Sequence, residues 1–118
     1  MLLRASGVPY NKAYDLKVVT GAMRDDGGVP HGRLLIAFAE AVLGEDEPAL
    51  AAVRASLHGA IGLAGLTDAA GVVGLFNAID RVADATGISL ETEKAKASAD
   101  FRAALGVDQF DVGARVCR

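Results

Sequence analysis

Apolar residues recur along the chain at the three- and four-residue spacing of α-helices, not at the two-residue alternation of strands. Leu34, Leu35, Phe38, Ala39 and Val42 form one stripe that closes at Gly44. Glu45-Asp46-Glu47-Pro48 then starts a second helix, because an Asp N-cap, acids in the first turn and an early proline all suit its positive end. Leu50, Val53, Leu57, Ala60 and Ile61 are its expected buried side. Thr67-Asp68 opens the most strongly patterned segment, which reaches Thr86 and Gly87. Its residues Val72, Leu75, Phe76, Ile79, Val82 and Ala83 gather on one side at 100° per residue, and Asn77, Asp80, Arg81 and Asp84 gather on the other. Ser89 with Glu91 and Glu93 starts a last helix through Phe101 and Leu105, ending at Gly106.

Ahead of these helices the pattern is shorter. Leu2 to Ser6, followed by Gly7 and Pro9, reads as the last turns of a helix, since glycine supplies the left-handed C′ position and proline cannot continue it. A helix of that length is not stable alone, so the chain is expected to be N-terminally incomplete. Pro9 suits the first turn of a short helix to about Thr20, with Tyr10, Ala13, Tyr14, Lys17 and Val18 at helical spacing. Residues 24–32 read as a loop from their Asp, Gly and Pro content. The expectation is a single all-α domain over 1–110 with a flexible tail over 111–118.

Composition supports this reading. The 118 residues are 52% hydrophobic and only 5% aromatic, with no Trp and 14 Gly. Alanine, the best helix former, is the commonest residue. The net charge is −3 and no basic face emerges, so no nucleic-acid partner is expected on electrostatic grounds. The longest uncharged run, Ala55 to Thr67, is far shorter than the ~20 residues that span a bilayer. With no signal-peptide pattern at Met1, the expectation is a cytoplasmic protein and no membrane partner.

Candidate chemistry is sparse. Cys117 is the single cysteine, so neither an intramolecular disulfide nor a cysteine-based zinc site can form, and two flanking arginines do not make it a reactive thiolate. His31 lies in a Gly-Pro loop and His58 on a small-residue helix, without the nearby carboxylates of a metal site. The polar cluster Asn77, Asp80, Arg81 and Asp84 is the one candidate site. It reads either as a solvated face with an Arg81–Asp84 pair or as a polar network at an interface. Gly59, Gly62, Gly65, Gly71 and Gly74 permit close helix approach, within the chain or between copies. No catalytic residue, cofactor or metal is expected from these residues.

The run from Val72 to Ile88, with Phe76-Asn77, Arg81 and Ala83-Asp84 before Gly87, resembles the late helix of the alkylhydroperoxidase D-like and carboxymuconolactone decarboxylase superfamily. Leu34 to Gly44 looks like that family's Leu-rich helix, Ala64 to Asp68 like its loop before the late helix, and Ala104 to Val107 with Phe110 like its closing segment. The resemblance spans most of residues 34–110. It implies an alkylhydroperoxidase D-like helical bundle and a peroxidase-related, antioxidant function. Redox-active members carry a Cys-x-x-Cys pair and a His on a helix whose ending Leu2 to Gly7 resembles. That segment would precede Met1, so the chain as given lacks the dithiol and is expected to be inactive alone, with its substrate unspecified. The alternative is a non-catalytic helical module for oligomerisation or partner binding; the decarboxylase-like branch has no identifiable lactone acid site. The first two readings imply a homo-oligomer, with the sides of Leu34–Val42 and Val72–Ala83 partly uncovered.

Overall fold

The computed structural model describes residues 13–21 and 24–109. Among these residues the chain is all-α, in the order of a short 3-10 turn at Leu16–Val18, helix α1 (Gly32–Leu43), helix α2 (Glu47–Thr86), helix α3 (Thr92–Leu105) and a closing 3-10 turn at Val107–Gln109. The helix ending at Leu2 to Gly7, the tail over 111–118 and Cys117 lie outside the described residues.

Of the segment expected to be helical from Pro9 to about Thr20, the described residues 13–20 contain one short turn, at Leu16–Val18. A competing set of bonds explains this. Asp15 caps the turn through its own side chain, which accepts from the Lys17 amide at 2.9 Å, while its backbone N–H donates to Gly27 at 3.0 Å. The chain is thereby tied to the following loop. Gly27 (φ 61°) is needed at that junction, because a Cβ there would stand 2.6 Å from Val18 Cγ1 and 2.7 Å from the Asp15 carbonyl oxygen.

The same loop launches α1. His31, at the N-cap, adopts left-handed backbone geometry (φ 57°) and makes no side-chain cap bond. Asp26 does so in its place, its carboxylate accepting from the Arg33 amide at 3.0 Å. The Arg33 guanidinium returns to the Arg24 carbonyl at 2.7 Å. The first orphan amides of the helix are thus met by the loop rather than by the residue preceding it.

α2 begins where expected. Asp46 is its N-cap and accepts from the Ala49 amide at 2.9 Å, with Pro48 in the first turn. The expected loop at Ala64–Asp68 is not present, and the two helices anticipated on either side are one element broken at Gly62 (φ 74°, ψ 177°). Thr67 does not act as a cap. Its hydroxyl bonds back to the Leu63 carbonyl at 2.9 Å, the pattern of a threonine inside a helix. Ala64 and Leu66 are good helix formers, and Gly62 adopts a backbone conformation reserved almost entirely for glycine, so the change of direction falls there.

α2 ends as anticipated at Gly87, in left-handed geometry, and α3 ends likewise at Gly106. α3 starts at Thr92 rather than Ser89, with Glu91 at the N-cap and no side-chain bond to replace the serine expected there.

α1 packs along α2, and the buried apolar side chains among the described residues are Phe38 (3% exposed) on α1 and Leu57 (0%) on α2. Leu50, Val53 and Ile61 are half-buried on the expected side, whereas Ala60 is exposed. Full burial of a side chain such as Leu57 contributes about 1.5–3 kcal/mol. α3 packs elsewhere, against the Leu16–Val18 turn and the closing turn. Its Ser98 is buried with the hydroxyl bonded to the Lys94 carbonyl at 2.7 Å, and Arg102 bridges to Asp108 at 3.3 Å.

By length and composition α2 is apolar enough to cross a membrane, with an 18-residue stretch of mean hydropathy 1.6, none of it buried. Between Arg54 and Asp80 the only charged residue is Asp68, so one acid divides an otherwise uncharged segment.

Candidate functional site

The second arm of α2, residues 63–86, presents two contrasting faces. On one lie Asn77, Asp80, Arg81 and Asp84. Arg81 Nε donates to Asn77 Oδ1 at 3.1 Å, across one turn of helix. Among the described residues Arg81 forms no ion pair with Asp84, and Asp80, Arg81 and Asp84 are all exposed, with Asn77 half-buried. Arginine reaches equally well one turn back and one turn forward, and the amide one turn back has taken it. The four residues do share a face. With three of them exposed, they do not form a buried network among the described residues.

The opposite face is apolar and open. Val72, Leu75, Phe76, Ile79 and Val82 are each between 52% and 59% exposed. Leu66 and Val73, which share the arc of the polar residues, and Ala69 at its edge are half-buried. The sequence pattern had marked these apolar residues as one side of a helix. It contained no signal for which neighbour, if any, would cover them.

A cleft of about 500 Å³ lies between the N-terminal loop and α3, lined by Tyr14, Asp15, Lys17, Asp25, Asp100 and Phe101 among others. Its volume suits a small ligand. Two of its carboxylates are already committed to the backbone, Asp15 to the Lys17 amide and Asp25 to the Gly27 amide at 2.9 Å. These bonds serve the turn. The Asp-Asp-Gly-Gly run signalled a loop of this kind, but not that α3 would close over it.

His31, at the N-cap of α1, and His58, on α2, are both exposed, and no group of three potential metal-ligating residues occurs among the described residues. In comparisons with known proteins, no family model, curated protein or solved structure matches the chain.

Proposed function

We propose that this chain is an alkylhydroperoxidase D-like, peroxidase-related helical scaffold that works, in the residues given, by association with other chains and not by thiol chemistry. The observation that carries the reading is the apolar face of the second arm of α2, where five large side chains stand more than half exposed. Exposed apolar patches beyond a few hundred Å² mark interaction sites in soluble proteins. The second support is chemical. Thiol-dependent peroxide reduction needs a nucleophilic thiolate and a resolving thiol, and the sequence holds a single cysteine.

The test has two measurements on the full 118-residue chain. Sedimentation equilibrium is expected to show a defined oligomer. Consumption of an organic hydroperoxide with a dithiol reductant is expected to run no faster than with the Cys117→Ser variant. A folded monomer at all concentrations would overturn the association reading, and turnover abolished by Cys117→Ser would overturn the non-catalytic one.

A further inference from the structure

We propose that Val72, Leu75, Ile79 and Val82 form the seam of an antiparallel dimer with a second copy of this chain, its two-fold axis crossing α2 at the level of Asn77. The proposal rests on the association reading above and names the partner and the register.

The four residues follow one another at spacings of three, four and three, which is the a/d pattern of a helix that meets another helix along a narrow seam. Each is more than half exposed, so none of the described residues fills the seam. With Phe76 beside them they offer on the order of 500 Å² of apolar surface. A standard interface takes about 800 Å² per partner. Exposed Gly71, Ala78 and Ala85, on one flank at seven-residue intervals, add to that area and let two backbones approach closely.

Charge decides the direction. Continuing the same spacing one step toward the N-terminus places Asp68 on the seam, and one step toward the C-terminus places Thr86 there. A parallel, in-register pair would set Asp68 against its own copy, two carboxylates face to face. The antiparallel pair about Asn77 sets Asp68 opposite Thr86, Val72 opposite Val82 and Leu75 opposite Ile79. Every apolar residue then meets an apolar one, and the repulsion disappears. Asp80, Arg81 and Asp84 lie on the far side of the helix and do not enter the seam.

A lipid surface fits less well. A spanning helix is apolar all round, whereas this arm carries Asp80, Arg81 and Asp84 on one face. A helix lying on a membrane carries a basic polar face, and this one has two acids to one arginine.

The experiment works in a Cys117→Ser background. Residues 72 and 82 stand about 15 Å apart along one helix, and a disulfide spans Cα atoms no more than about 7 Å apart, so cysteines at both positions cannot bridge within a chain. The Val72→Cys/Val82→Cys double variant is therefore expected to oxidise to a covalent dimer, and each single variant to remain uncrosslinked. Leu75→Glu is expected to weaken dimerisation by about 100-fold or more, because it buries an unpaired charge, with the helical circular dichroism unchanged. Leu75→Ala checks the same contact if the glutamate variant fails to fold, and is expected to weaken the dimer about 10-fold. Efficient crosslinking of either single variant would overturn the antiparallel register. A dimer indifferent to both Leu75 substitutions would overturn the seam while leaving association through another face intact. Flotation of the chain with phosphatidylcholine vesicles, with no dimer in their absence, would overturn the second copy in favour of lipid.

Discussion

At the scale of single residues, local bonds account for much of what the chain does. Asp46 satisfies an amide that the helix itself cannot, and Asp46→Ala is expected to cost about 1 kcal/mol, read from chemical denaturation. Leu57 stands at the other extreme, since its side chain is wholly enclosed. Leu57→Ala is expected to cost about 2–5 kcal/mol in the same measurement, a large share of a small protein's stability. Asn77→Ala removes the exposed bond to Arg81 and should change stability by no more than about 0.5 kcal/mol. The cap at Asp46 could be read in the sequence because it depends on neighbours within one turn, and Leu57 because it lies on an apolar stripe at helical spacing, although the helix that covers it is distant in sequence. The partner of Arg81 could not. Asn77 and Asp84 were both within its reach, and side-chain geometry chose between them.

At the scale of the element, the break in α2 is the feature that sequence pattern misplaced. Small residues are so dense between Gly59 and Gly74 that several positions had the composition of a bend, and a threonine followed by an acid looked like a cap. Thr67 instead bonds backward into the helix. Gly62 holds a conformation that costs other residues on the order of 1–3 kcal/mol, and alanine prefers a helix over glycine by about 1 kcal/mol. Nothing stands within 4 Å of the place a Cβ would take there, so backbone energy rather than collision decides the outcome. Gly62→Ala is expected to straighten α2. Spin labels at Arg54 and Asp84 should then move apart in a pulsed dipolar measurement, and an unchanged distance would show that the bend is held by packing. Helix ends marked by Gly87 and Gly106 were legible because a left-handed glycine at a C-terminus acts through one residue's backbone, whereas Gly44 ends α1 in extended geometry (φ −88°).

At the scale of the whole molecule, helical class followed from the spacing of apolar residues, but the coverage of each face depends on elements distant in sequence. The stripe on α1 and the stripe on the second arm of α2 look alike in one dimension; Phe38 is enclosed and Leu75 is open. Gly27→Ala tests how the two ends of the described chain depend on each other. It is expected to destabilise the protein by about 1–3 kcal/mol and to speed amide exchange in α3 more than in α1, because α3 rests on the segment that Gly27 allows to fold back. That resting place also has a kinetic meaning. α1 and α2 are joined by a few residues and find each other by a short search, whereas α3 must close a loop of roughly 75 residues to reach the turn at Leu16–Val18, an entropy cost on the order of 4 kcal/mol. In the order of folding the α1–α2 pair is therefore expected to come first and the docking of α3 on the Leu16–Val18 turn last, so pulse-labelled amide exchange should protect α1 before α3.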